Sequence, residues 1–170
     1  MLGRGDASIH ARRYAMVAAI AGVDQLTKQV ALATLFHPPQ VIDFLPFLRF
    51  VPVWNKGMSF GLLGDAGAWA PILLTIFALG VAVVLPFAAR NWDRMSIVGA
   101  LLMAGGALGN AIDRVIYGKV IDFIDVFAGQ WHWPAFNVAD MAVCVGAGLM
   151  MLAVIQESWN GRGDQPTKGE

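Results

Sequence analysis

The sequence contains one cysteine, Cys144, and three widely separated histidines, His10, His37 and His132. A lone cysteine excludes an intrachain disulfide, and no Cys/His set has the spacing of a structural zinc site. Cys144 lies in an apolar run, where a buried and inert thiol is expected. Charge is also scarce. Asp, Glu, Lys and Arg make up 14% of the 170 residues, against about 25% in an ordinary soluble domain, too few to cover a sphere in water. Twelve basic and twelve acidic residues cancel, so the electrostatic footprint of a nucleic-acid binder or a polybasic membrane-surface protein is missing. Internal repeats and low-complexity segments are lacking, apart from a polar C-terminal GRGDQPTKGE.

What fills the chain is apolar: 57% is A, V, I, L, M, F, W, Y or C. Four runs have roughly the 20 residues needed to cross a bilayer: Tyr14–Leu35, Trp69–Ala89, Ser96–Ile112 and Asn137–Gln156. Arg12 and Arg13 before AMVAAIAGV resemble the start of a signal peptide, but the stretch continues through Asp24–Lys28 into VALATLF. A retained helix is therefore expected. The reading is an all-α membrane protein, one integral domain over residues 1–170 with four transmembrane helices and a disordered cytoplasmic tail over 157–170. Arg4, Arg12, Arg13, Arg90, Arg94, Arg162 and Lys168 flank the spans on one side, against Arg49, Lys56, Arg114 and Lys119 on the other. The positive-inside rule puts both termini in the cytoplasm and both long loops outside.

These loops are rich in β-branched and aromatic residues. QVIDFLPFLRFVPVWNKGMSFGLLG is broken by Pro46 and Pro52, and YGKVIDFIDVFAGQWHW carries Trp131 and Trp133. They predict a small outward-facing β-rich platform at the headgroup level. In the spans, Gly105 with Gly109 and Ala142 with Gly146 form small-x-x-x-small pairs suited to close helix packing.

A polar group at membrane depth is costly, so each one is a candidate functional residue. Asp24 and Lys28 are spaced i, i+4 with the acid first, as for a helical ion pair. Asn110 and Arg114 share a face at the outer end of the third span, with Asp113 pointing elsewhere. Arg114 can equally snorkel to the interface. Asp122 lies in KVIDFIDVF, where alternation puts Val120, Asp122 and Ile124 on one face and Asp125 on the other. Asn137 and Asp140 open the fourth span as N-cap and N3, a capping pattern. Asp122, Asp140, Arg114, Asn110 and Asn137 thus meet at one membrane boundary. Two neighbouring carboxylates share a proton, and one can take a proton from water while the other protonates the oxyanion or leaving amine. That is the chemistry of an aspartyl protease.

A rival pattern exists. Gly57-Met58-Ser59-Phe60-Gly61 matches G-x-S-x-G, and Asp122 and His132 follow in the order of α/β-hydrolases. The elbow that motif needs requires a parallel sheet, for which four spans leave no room. Ser59 between glycines otherwise reads as a turn residue.

Asp24-Gln-Leu-Thr-Lys28, Asn55-Lys-Gly57 with Phe60, Gly105-Gly-Ala-Leu-Gly-Asn110-Ala-Ile-Asp113-Arg114, Gly118-Lys-Val120-Ile-Asp122-Phe123 and Phe136-Asn137-Val-Ala-Asp140 stand in this order from the first span to the fourth. Together they resemble the signature set of the bacterial lipoprotein signal peptidases, or signal peptidase II. The resemblance implies a metal-independent aspartyl endopeptidase of the bacterial cytoplasmic (inner) membrane, working without cofactor near the outer face. Its substrates would be diacylglyceryl-modified prolipoproteins, cut before the lipid-bearing cysteine. Asp122 and Asp140 would be catalytic. Asn110, Arg114 and Asn137 would support the pair and substrate, and Asp24, Lys28 and Asn55 would serve structure or binding. Membrane lipid and globomycin-type inhibitors are the other implied partners, with no nucleic acid, and a monomer is expected. Met58-Ser59 departs from the small residues usual after Asn55-Lys-Gly57. An ion-coupled transporter using the same acids, or a helical scaffold, are the other readings.

Overall fold

The computed structural model describes residues 4–57 and 69–163. Four long helices frame the chain: α1 (Arg4–Leu35), α2 (Ala70–Ala88), α3 (Arg94–Tyr117) and α4 (Val138–Gly163). Between α1 and α2 come β1 (Ile42–Leu45) and β2 (Leu48–Asn55), and between α3 and α4 come β3 (Val120–Ala128) and β4 (Trp131–His132). The four strands form one antiparallel sheet in the order β1-β2-β3-β4. The mostly helical architecture with a small sheet is the one expected from the sequence.

Three helices are long and apolar enough to cross a membrane: Ala70–Asn91, Arg94–Tyr117 and Val138–Asn160. The first helix, 32 residues long, extends about 1.5 Å per residue, but carries Asp24, Lys28 and several other polar groups within its run. Half of the α3 window is buried, against 22% for α2 and 17% for α4. Helix α3 is therefore the hub, with the others around it.

Small residues make that geometry possible. A Cβ on Gly99 would meet the Gly146 carbonyl oxygen at 2.6 Å, and one on Gly146 would meet that of Gly99 at 2.5 Å. On a second face of α3, a Cβ on Gly105 would strike Ile20 of α1, and one on Gly109 would strike Asp24. The paired small residues read from the sequence are thus contact points, joined by Gly99 and by Gly106, which lies against the Ala139 backbone. At the opposite end from the sheet, Arg13 donates to Pro86 O (3.2 Å) and Tyr14 to Val83 O (2.7 Å), tying α1 to α2.

Capping fixes the ends of the hub. Asp93 accepts from Met95 N (2.9 Å) and Ser96 N (3.0 Å), which places the start of α3. Gly118 closes it in the left-handed region (φ 67°) and turns the chain into β3. Pro52 interrupts β2 where its register with β3 shifts, between Phe50 and Val53. Ala31, Leu35, Phe36, Ile121 and Phe123 form a core that seats the sheet on the end of α1.

Two expectations are corrected. Cys144 is exposed on the outward face of α4, because α4 packs along one side only and most of its circumference faces away from the bundle. Helix α4 continues to Gly163, so residues 157–163 are helical where a tail was expected. The rest of that tail lies outside the described residues, as do Met58, Ser59 and Phe60.

Candidate active site

Sheet register builds the first half of the site. Asn55 pairs with Val120 and Val53 with Asp122, so Asn55 and Asp122 are diagonal neighbours on one sheet face, within side-chain reach. Asn55 Nδ2 donates to Asp122 Oδ2 at 2.9 Å. The Asn55 amide is held in that sense by Gly57 N–H, which donates to its Oδ1 at 2.7 Å. Gly57 reaches this turn with φ +78°, a conformation a side chain would strain.

The second half comes from the N-terminus of α4. Phe136 bridges to Ile124 through reciprocal backbone bonds of 2.9 and 3.0 Å, which lays Asn137 beside β3. Asp140 N–H donates to Asn137 Oδ1 (3.0 Å) and Asn137 N–H to Asp140 Oδ2 (3.2 Å), the reciprocal cap expected from N-x-x-D. With its oxygen committed to the cap, Asn137 turns its Nδ2 to Asp122 Oδ1 at 2.7 Å and to Asn110 Oδ1 at 3.2 Å. Asn110 Nδ2 completes the chain by donating to Asp140 Oδ1 at 2.8 Å. Asp122 and Asp140 are thereby joined through two amides.

Arg114 donates to Asn110 O at 3.3 Å, and its charge acts on Asp140, Asp113 and Asp122. It stays at the site rather than extending away. Asp122 is 1% exposed. Burial pushes its carboxyl up to about 6, with the charge of Asp140 adding to the rise and the Asn55 and Asn137 amides opposing it. A cleft of about 350 Å³ opens beside Asp122 between Val53, Trp54, Asn55, Lys56, Pro134 and Ala135.

Asp24 and Lys28 pair at 2.8 Å, as their spacing predicts. Sequence reasoning underestimated Asp113. Although it is off the Asn110–Arg114 face, it is fully buried and contacts Lys28 at 2.9 Å. Gln25 joins it, donating to Asp113 Oδ1 at 2.8 Å and to Gly109 O at 3.0 Å. The available signal was Gly109: a residue that admits another helix on its face marks Asp113, one turn later, as facing the same neighbour.

The serine pattern is not assembled. His132 Nδ1 faces Asp125 Oδ2 at 3.0 Å, in a cluster with Arg49, and not Asp122. Burial raises the Asp125 carboxyl, but bonds from Arg49 and His132 outweigh it and hold the group below its ordinary range. Among the described residues no group of three His, Cys, Asp or Glu side chains is arranged to hold a metal.

The family model for Signal peptidase (SPase) II matches residues 16–156. The lipoprotein signal peptidase of Burkholderia thailandensis is 42% identical over 130 residues, covering 75% of this chain and 78% of the relative. That of Janthinobacterium sp. strain Marseille is 40% identical over 131 residues, covering 76% and 79%. A bacterial membrane enzyme structure at 2.3 Å resolution shares the fold, with a TM-score of 0.73 over 94% of this chain and 95% of that one at 24% identity. A second, at 1.9 Å resolution, has a TM-score of 0.68 over 85% and 92% at 29% identity. With the family matched across all four helices, and with relatives of this identity over three quarters of its length, the chain belongs to the signal peptidase II family of membrane proteases.

Proposed function

We propose that the chain removes signal peptides from diacylglyceryl-modified prolipoproteins by aspartyl chemistry, cutting before the lipid-modified cysteine. The observation that carries this reading is the continuous linkage Asp122–Asn137–Asn110–Asp140. Two carboxyl groups held in one semi-buried patch, one of them with a raised affinity for its proton, share a proton and titrate as a pair. The ionised member takes a proton from water as the water oxygen attacks the peptide carbonyl. The protonated member donates to the developing oxyanion, and a proton then passes to the leaving amine as the C–N bond breaks. Arg114 supplies positive charge where negative charge develops. Asn55, Asn110 and Asn137 orient the carboxylates without adding charge.

Helix α1 is the fourth span in this reading. Asp24 and Lys28 are 0% exposed, while Val23, Leu26 and Val30 are 55, 70 and 64% exposed, so its outer face is suited to lipid and its charges face inward. Four spans return both termini to the cytoplasm, as the basic residues demand. Exposed Phe44 and Phe47 on the β1–β2 hairpin, with Trp131 and Trp133 near β4, suit the headgroup layer of the inner membrane's outer leaflet. Globomycin-type peptides would occupy the same site, and the chain would act as a monomer.

The test is cleavage of a diacylglyceryl-modified prolipoprotein peptide by purified protein in detergent with EDTA present, the products read by mass spectrometry. A mature fragment beginning at the lipidated cysteine is expected, with the unmodified peptide left intact. Cleavage elsewhere, or loss of cleavage on adding EDTA, would contradict the proposal.

A further inference from the structure

A second group of charges lies directly behind the aspartate pair. Lys28, Asp24 and Asp113 are each 0% exposed. The Lys28 ammonium has three N–H groups, and three acceptors surround it: Asp24 Oδ2 at 2.8 Å, Asp113 Oδ2 at 2.9 Å and Asn110 Oδ1 at 2.9 Å. Burying an ammonium with two carboxylates is costly, and apolar side chains of the same volume commonly join helices as well or better. Holding α1 to α3 therefore does not by itself account for the cluster.

The other bonds of its members do. Asp24 Oδ1 accepts the backbone N–H of Ala139 at 2.8 Å, and Ala139 immediately precedes Asp140. Asp113 Oδ2 accepts the backbone N–H of Ile121 at 3.1 Å, and Ile121 immediately precedes Asp122. One ammonium thus holds two carboxylates, and each carboxylate grips the backbone one residue before a member of the aspartate pair. The third bond reaches the pair through a side chain. Because Asn110 Oδ1 accepts from Lys28 and from Asn137 Nδ2, its NH2 group can only face Asp140. A reversed amide would set donor against ammonium and oxygen against carboxylate.

We propose that Lys28, Asp24 and Asp113 form a positioning device that sets the separation of Asp122 and Asp140 and the orientation of the amide between them. The inference rests on the aspartate-pair reading above. These residues do not touch substrate; they act through the backbones and the amide they hold.

The bonding pattern makes the two acids unequal. Asp24 uses both oxygens as acceptors, one for Lys28 and one for Ala139 N–H. Asn at this position has a single acceptor oxygen and must release one of them. At Asp113 one oxygen, Oδ2, serves both Lys28 and Ile121 N–H, while Oδ1 faces only the Gln25 amide, which can turn over. Asn at position 113 keeps the grip.

Steady-state cleavage of a diacylglyceryl-modified prolipoprotein peptide, normalised to folded protein, separates kcat from KM for Asp24→Asn, Asp113→Ala and Asp113→Asn. The expected result is a kcat loss of about 100-fold for Asp24→Asn and Asp113→Ala, the cost of a misplacement near 1 Å. KM stays within about threefold, and Asp113→Asn recovers at least about tenfold over Asp113→Ala. Equal kcat values for the Asn and Ala variants at 113, or a loss confined to KM or to the folded fraction, would overturn the proposal. Should Asp24→Asn fail to fold, the pair at 113 decides alone. Asp122→Asn and Asp140→Asn are run beside them. Cleavage by either removes the aspartate-pair reading. Two silent aspartate variants beside cluster variants of undiminished kcat remove the positioning role only.

Discussion

At the scale of single residues, the state of Asp122 is the most informative quantity. Its carboxyl is raised to about 6 by burial first, then by the neighbouring charge of Asp140, against bonds from Asn55 and Asn137. Replacing Asp140 by Asn removes one raising cause, so the Asp122 carboxyl is expected to titrate lower. Replacing Asn55 by Ala removes a lowering one, so it is expected to titrate higher. The carboxyl stretching band in infrared titrations distinguishes the two. The sign for activity follows from the shared proton: below about 6 Asp122 is largely protonated, and above it the pair loses the proton that the oxyanion needs. The free-protein profile, kcat/KM against pH, is therefore expected to fall on its alkaline side with an apparent pKa near or above 6; a profile flat through that region would contradict this. Arg49 offers a contrast. Its bond to Asp125 at 2.7 Å is one-third exposed, so Arg49→Ala is expected to cost about 1 kcal/mol of stability or less. Turnover should be unchanged in the same assay.

At the scale of elements, the glycine faces of α3 decide where α4 begins. Gly106 lies against the backbone of Ala139, next to Asp140, so Gly106→Val must push the start of α4 away. Overpacking of this kind costs about 1–3 kcal/mol or more. The expected outcome is a lower thermal midpoint in detergent together with a turnover loss larger than the folded fraction explains. Much of this layer was legible in advance. The hydrophobic runs place the cores of all four helices, the G-x-x-x-G pair anticipates the α1–α3 contact, and N-x-x-D anticipates the cap that aims Asn137. Asp113 was misjudged because helical spacing tells which residues share a face, not which faces are covered. On a helix packed by three others, a residue off the site's face is still inside. The Cys144 expectation failed for the opposite reason: an apolar run signals burial only where protein surrounds the helix, and α4 is mostly uncovered. The amide chain between Asp122 and Asp140 was beyond the sequence, since it depends on the register of β2 on β3 and on the Phe136–Ile124 bridge.

At the scale of the whole molecule, the proposed topology puts the sheet outside and the free helix ends inside. In a Cys144→Ser background, a cysteine at Gln130 is expected to react with an impermeant maleimide on intact cells, and one at Asn160 only after permeabilisation. The reverse pattern would invert the orientation. Exposed apolar side chains along α1, α2 and α4 leave the bundle open to lipid on several sides, as befits a protease whose substrate is itself anchored in the bilayer. The account stands or falls on whether the two joined carboxylates perform the cleavage. The direct measurement is turnover of a diacylglyceryl-modified prolipoprotein by wild type, Asp122→Asn, Asp140→Asn and Ser59→Ala, each shown to be folded. Loss of at least about a thousandfold in both Asp variants, with Ser59→Ala near wild type, is the predicted result. Cleavage by either Asp variant at the wild-type rate, or loss only on changing Ser59, would contradict it.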